Sequence, residues 1–166
     1  DVYKRQEKNQ KILYLHGGYN TLQPSPFHWR LLDKLTLNTL HEVVLPIYPK
    51  SPDYHYLETF KAIRDVYNQL VEEVGANNIV MMGDGSGGGL ALSFVQSLIN
   101  DNQEVPRKLF LLSPLLDATL TNPNITKTLE ENDILVSRFG VHQLMKSWAN
   151  DLPCLLYTSD AADERS

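Results

Sequence analysis

Two glycine-rich stretches hold the residues whose types and spacing could do chemistry. Gly83-Asp84-Gly85-Ser86-Gly87-Gly88-Gly89 packs five of the nine glycines into seven residues, and His16-Gly17-Gly18 is a second, shorter cluster. Without a Cβ, glycine can take positive φ and present bare amides to a ligand. A row of such N–H groups where a strand meets a helix suits a phosphate, a carboxylate or the oxyanion of a tetrahedral intermediate. Ser86 adds a hydroxyl, the weak nucleophile of acyl-transfer sites. The longer run also spells G-x-G-x-x-G (Gly83 to Gly88), the dinucleotide-binding fingerprint. That reading needs an acid at the end of the next strand, about 20 residues on. Asp117 stands well beyond that, past Pro114.

These clusters need elements to position them. Short apolar runs alternate with longer amphipathic ones, the pattern of βα units around a parallel sheet. Residues 11–15 read as a first strand, stopped by His16-Gly17-Gly18. Ser25-Pro26 starts a helix that runs to about residue 40, since serine suits the cap and proline the first turn. Residues 43–48 read as a second strand, closed by Pro49 and Pro52. Tyr56, Phe60, Ile63, Tyr67, Leu70 and Val74 recur at three- and four-residue steps, which predicts an amphipathic helix with an aromatic core face over 56–74. Residues 78–82 form a third strand that runs into the long glycine cluster, and a nearly all-apolar helix follows to Ile99. A fourth strand spans 108–112, and a last helix covers about 139–149. In open parallel sheets, ligands bind beyond the carboxyl ends of the strands. Both glycine turns stand at such ends.

Taken together the motifs resemble a known family. H-G-G after a strand, His28-Trp29 in the next helix, Pro46-Ile47-Tyr48-Pro49, G-D-x-S-G-G-G-L-A-L and Leu111-Leu112-Ser113-Pro114-Leu115-Leu116-Asp117 are similar to the α/β-hydrolase fold of the hormone-sensitive-lipase type. The likeness covers nearly all of residues 11–153. It implies a three-layer αβα sandwich, here a partial α/β-hydrolase core of about four parallel strands in spatial order 2-1-3-4. It also implies a serine carboxylesterase or lipase that hydrolyses small acyl esters through an acyl-enzyme.

In that family the turn usually reads G-D-S-A-G-G. Aligned without a gap, Gly83, Asp84, Gly87 and Gly88 take the elbow-supporting positions, and Gly85 stands where the nucleophilic serine belongs. Ser86 then supplies an oxyanion-hole amide beside those of Gly17 and Gly18. Sliding the frame by one makes Ser86 the alternative nucleophile, but places Asp84 where a small residue must fit. A glycine codon can be one base from a serine codon, so position 85 is a natural pseudoenzyme's glycine or a point change. The resemblance makes His16 and Asp117 loop-shaping residues and sets His28 and Trp29 beside the oxyanion loop. It puts the Asp and His of the triad beyond residue 153, and the chain as it stands is expected to be inactive. A nucleotide-binding domain and a non-catalytic pseudo-hydrolase that keeps the acyl pocket are the alternatives.

Composition narrows the field. The 166 residues carry 15 Lys+Arg against 20 Asp+Glu, a net charge of −5 with no basic run, which argues against nucleic acid as a partner. The one cysteine cannot form an internal disulfide or a thiolate cage. His16, His28, His41, His55 and His142 show no paired ligand spacing, so neither metal nor cofactor is expected. No apolar stretch approaches a membrane span and no signal peptide is visible, so the expected compartment is the cytoplasm.

The two ends are related through DNA. Asp1-Val2-Tyr3-Lys4-Arg5-Gln6 can be encoded by GATGTGTATAAGAGACAG, whose reverse complement, read from its second base, gives Cys154-Leu155-Leu156-Tyr157-Thr158-Ser159. This resembles a transposase sequencing adaptor translated at both ends. Residues 1–6 and 154–166 are therefore expected to be adaptor-derived, leaving 7–153 as a partial hydrolase domain and removing the cysteine from the native inventory.

Overall fold

The computed structural model describes residues 10–120 and 137–150. The stretches read as adaptor-derived lie outside the described residues. Among the described residues, four strands and four helices alternate: β1 (Lys11–Leu15), α1 (Pro26–Thr39), β2 (Glu42–Val44), α2 (Tyr56–Val74), β3 (Ile79–Asp84), α3 (Gly85–Asn100), β4 (Lys108–Leu112) and α4 (Arg138–Trp148). The strands form one parallel sheet in the order β2-β1-β3-β4, as expected from the resemblance.

The strand period of two sorts the side chains onto two faces. Leu13, Leu15, Ile79 and Met81 point to one face, where they are buried with Ile63, Tyr67 and Leu70 of α2 and Leu90, Phe94 and Leu98 of α3. Ile12 and Tyr14 point to the other, where α1 lies with Leu32 buried. Among the described residues this second layer is incomplete over β3 and β4. Among the described residues, a groove of about 350 Å³ opens there between Leu35, Val80, Met82 and Phe110, and Phe110 is 48 % exposed.

The second and third strands differ from the sequence reading, and the third helix begins at Gly85, inside the glycine cluster rather than after it. The second strand was expected over 43–48, yet its ladder ends at Val44. Pro46 has no N–H to donate, and the chain leaves the sheet so that Tyr48 turns inward and its hydroxyl donates to the His16 carbonyl at 2.7 Å. The third strand runs 79–84 rather than 78–82, because Asn78 closes a one-turn 3₁₀ helix (Ala76–Asn78) and pairing continues through Asp84. That extension brings the strand directly onto the helix that follows.

Helix α4 docks back on α2. The Trp148 indole donates to Thr59 Oγ1 at 3.0 Å, and the Thr59 hydroxyl donates to the Pro49 carbonyl at 2.8 Å. The Trp148 ring packs against Tyr56 and Phe60, so the aromatic stripe of α2 is core.

Candidate active site

Leu15 pairs with Gly83, so the carboxyl ends of β1 and β3 lie side by side. The chain leaves β1 as His16-Gly17-Gly18 and leaves β3 as Asp84-Gly85, and the two turns face each other. Between Asp84, still in the strand, and Ser86, already helical, the direction changes at one residue. Gly85 makes that change with φ of +52°, a conformation costing an L-residue roughly 1–2 kcal/mol.

The glycines of the turn differ in what surrounds them. A Cβ at Gly83 would stand 2.5 Å from the Gly87 carbonyl oxygen, one at Gly87 would overlap the Leu15 and His16 carbonyls, and one at Gly88 would meet Pro114 Cβ at 2.9 Å. The first two are close approaches between backbones, and the third sets Gly88 against the Pro114 ring as well as the Gly83 carbonyl. A Cβ at Gly85 meets only the Gly17 Cα, at 3.8 Å, which is ordinary contact. Position 85 is thus the open place in the turn. It faces the opposite loop.

Ser86 lies one residue into α3. It is 5 % exposed, and its hydroxyl is buried without a hydrogen-bond partner among the described residues. Its backbone N–H is one of the four at a helix start that have no intrahelical acceptor. Across the gap, Gly18 takes φ of +122° and its carbonyl accepts from Thr21 and Leu22. Tyr19 and Asn20 continue in the left-handed region, and the Ser51 N–H holds the Asn20 carbonyl at 3.0 Å. Three successive positive-φ residues make a tight, strained loop. Strain of this kind persists only where neighbours over-determine it.

Asp84 ties the turns together. Its Oδ1 accepts from the Tyr14 hydroxyl at 2.8 Å and from the Gly17 N–H at 3.0 Å, and its Oδ2 lies 3.3 Å from His28 Nε2. The Gly17 amide is therefore engaged with Asp84. Burial, reinforced by the Asp84 carboxylate, pushes the Tyr14 hydroxyl well above the usual phenol range and keeps it a donor. Of these partners, Tyr14 escapes sequence reasoning. The available signal was a single hydroxyl in the otherwise aliphatic strand Ile12-Leu13-Tyr14-Leu15.

His16 is 1 % exposed. Its Nδ1 lies 2.7 Å from the Gly17 carbonyl, which can only accept, so Nδ1 carries the proton and Nε2 is bare. The ring stacks on Tyr48 at 5.0 Å, and burial pushes the imidazole down to about 4. Behind it, the buried Lys50 ammonium donates to the Tyr48 carbonyl and to Gln23, 4.4 Å from the Tyr48 ring centre. Neither Tyr48 nor Lys50 was singled out as support for this loop. The Asp117 carboxylate accepts from the Thr119 N–H at 2.8 Å and shapes its own turn. Further support comes from the segment after β4, where the Leu115 N–H donates to the Gly85 carbonyl at 2.8 Å.

Among the described residues, no cluster of three or more His, Cys, Asp or Glu could hold a metal ion, and no helix is long and apolar enough to cross a membrane.

This geometry can be set beside known proteins. A family model for the alpha/beta hydrolase fold matches residues 12–156. An esterase of Acinetobacter venetianus is 30% identical over 152 residues, covering 91% of this chain and 50% of its own length. A triacylglycerol lipase of Mycobacterium tuberculosis is 33% identical over 142 residues, covering 85% of this chain and 28% of its own. Among solved structures, a Staphylococcus aureus protein provisionally described as an esterase superposes with a TM-score of 0.86 at 63% identity, over 92% of this chain and 51% of that one. An esterase from the bacterial hormone-sensitive lipase family superposes at 0.76 with 23% identity, a likeness of fold. The chain spans half or less of the curated relatives it matches here.

Proposed function

Because this chain belongs to the α/β-hydrolase fold family, we propose that it is part of a serine carboxylesterase or lipase acting on small acyl esters, with position 85 as the place of the nucleophile. One observation carries the reading. Gly85 alone in its turn combines the left-handed backbone of a nucleophile elbow with room for a side chain, and that room faces the Gly17-Gly18 loop. A serine there would hold its hydroxyl at the mouth between the two turns. Ser86, helical and buried, is the weaker alternative.

In the proposed reaction, a hydroxyl at position 85 attacks the ester carbonyl, the alcohol leaves, and water hydrolyses the acyl-enzyme. The oxyanion would be held by the amides of Ser86 and Gly18. Gly17, whose own N–H is held by Asp84, orients the loop. Losing one donor of this kind costs about 3 kcal/mol of barrier. With glycine at 85 there is no acyl-enzyme, and loss of a triad serine lowers rate about a millionfold. With glycine at position 85 the chain is accordingly inactive on this proposal, its acid and base partners belonging to length that the relatives carry and this chain does not match. The dinucleotide reading gains no support, since β4 ends at Leu112 and Asp117 is turned to Thr119.

The test joins the Gly85→Ser chain, after α4, to the C-terminal half of the Staphylococcus aureus relative and measures chromogenic ester hydrolysis and fluorophosphonate labelling. The serine chimera is expected to turn over and to label at position 85, and the glycine chimera to do neither. A folded serine chimera that stays unlabelled would overturn the reading. Turnover by the Gly85→Ser chain alone would overturn the claim that partners lie outside it.

A further inference from the structure

His28 was singled out in sequence beside Trp29, and the proposed chemistry gives it no role. The structure places it where three segments meet. It is the third residue of α1, and its ring meets that of His16 edge-on, with centroids 5.7 Å apart. The Ser25 backbone N–H donates to its Nδ1 at 2.9 Å, and the Ser25 hydroxyl lies 2.8 Å from the same atom. A backbone N–H can only donate, so Nδ1 must be bare. A neutral imidazole then carries its proton on Nε2. That nitrogen lies 3.3 Å from Asp84 Oδ2.

The geometry points to His28 as a positioning residue: by donating from Nε2 to Asp84 it fixes the carboxylate in the orientation whose other oxygen holds the Gly17 amide, and so sets the Gly17-Gly18 loop against the turn at Gly85. Asp84 is partly open to solvent, its side chain 30 % exposed, and a carboxylate held at one oxygen alone keeps more freedom to rotate than one held at both. Tyr14 and Gly17 share Oδ1, while His28 takes Oδ2. Removing the His28 donor leaves that oxygen to water, and the turn that served Gly17 loosens. His28 also caps α1 through Ser25, so a purely local, structural role is the competing explanation. The two roles belong to different nitrogens.

That difference makes the inference testable in the chain as it exists. His28→Gln puts an amide N–H near the place of Nε2, while at the third helical position its amide oxygen can still reach back to the Ser25 N–H as in a capping box. His28→Asn puts a carbonyl oxygen near the place of Nδ1 and cannot reach Asp84. The readout is amide hydrogen exchange at Gly17 and at Ser25, resolved by NMR. Loss of a hydrogen bond to a charged group should speed exchange at Gly17 about tenfold or more. Expected is rapid exchange at Gly17 but not at Ser25 in His28→Asn, and near-native exchange at Gly17 in His28→Gln. Native Gly17 protection in His28→Asn overturns the inference and leaves His28 as a helix cap. If either variant fails to fold, the unmodified chain still decides, because ¹⁵N shifts report the tautomer: Nε2–H supports the inference and Nδ1–H overturns it. The inference rests on the proposed function only in naming the loop an oxyanion loop. Exchange at Gly17 needs no turnover, so an inactive serine chimera would sink the esterase reading and leave this result standing.

Discussion

Placing a side chain at position 85, and at no neighbouring glycine, is the perturbation on which the site's interpretation depends most directly. In Gly85→Ser the new residue must hold φ of +52°, which costs an L-residue about 1–2 kcal/mol. Replacing glycine also removes conformational freedom from the unfolded chain, which offsets about 0.4–1 kcal/mol. With the added Cβ no closer to anything than 3.8 Å, no packing cost follows, and the net loss should be about 1 kcal/mol. Gly87→Ala is the contrast. Its methyl would overlap the Leu15 and His16 carbonyls, which are backbone atoms of the strand end, and the His16 carbonyl is further held by the Tyr48 hydroxyl. Overpacking against atoms that cannot rotate away falls at the upper end of its range, about 3 kcal/mol. The difference of about 2 kcal/mol is roughly a 30-fold change in the folding equilibrium. Urea unfolding followed by tryptophan fluorescence, with the buried Trp148 as reporter, should place the Gly87→Ala midpoint about 1 M below that of Gly85→Ser. Equal losses for the two variants would refute the claim that position 85 is open. A Gly85→Ser chain less stable than Gly87→Ala would refute the assignment of the elbow itself.

Other consequences can be checked on the same chain. The His16 imidazole is pushed from 6.5 down to about 4 by burial, so the unfolded chain binds the extra proton between those values. Stability contributed by the neutral ring is complete above pH 6.5 and is lost as pH falls toward 4, by at most about 3 kcal/mol. A His16→Gln variant should show that much less pH dependence between pH 4 and 7 in urea titrations, and an unchanged slope would contradict the buried neutral ring. Tyr14→Phe removes one of the two donors to Asp84 Oδ1 and should cost about 1 kcal/mol, discounted for the carboxylate's exposure. A stability within error of the parent would show that Tyr14 does not restrain Asp84. Phe110→Lys places a charge on the sheet face left open by the described residues and should reduce any self-association in sedimentation velocity, whereas unchanged association would direct attention to the sheet edges.

Helix α2 and strands β1 and β4 were legible to the residue because the helix carries an uninterrupted period, the strands are short continuous apolar runs, and each ends at a glycine or polar turn. The second strand was not. Val43 to Tyr48 is apolar enough to read as strand, but Pro46 stops the ladder, and Tyr48 is buried for its hydroxyl and ring rather than for pairing. Apolar character marks burial, and only the missing N–H reveals that the burial belongs to a loop. The extra length of β3 was hidden for the opposite reason. Gly83 and Asp84 read as turn residues, yet they pair with Leu111 and Leu112, because the turn is compressed into Gly85.

The site itself was legible as two backbones and illegible as a hydrogen-bond network. Glycine spacing announces where main chains approach each other, and Gly83, Gly87 and Gly88 do so. It does not reveal which amides remain available, since that depends on side chains from elsewhere. Gly17, Gly18 and Ser86 are equivalent in sequence as donors, but the Gly17 N–H is taken by Asp84, whose own orientation depends on Tyr14 from β1 and His28 from α1. Asp84 is thus more than a short acceptor at the turn. It converts three distant sequence positions, 14, 17 and 28, into one local geometry beside position 85. On the proposed reading, a chain with glycine at position 85 therefore still retains the arrangement that would orient a nucleophile there. Changes that act on Asp84 should disturb the loop across the gap before they disturb the elbow, since Gly85 is held independently by the Leu115 N–H.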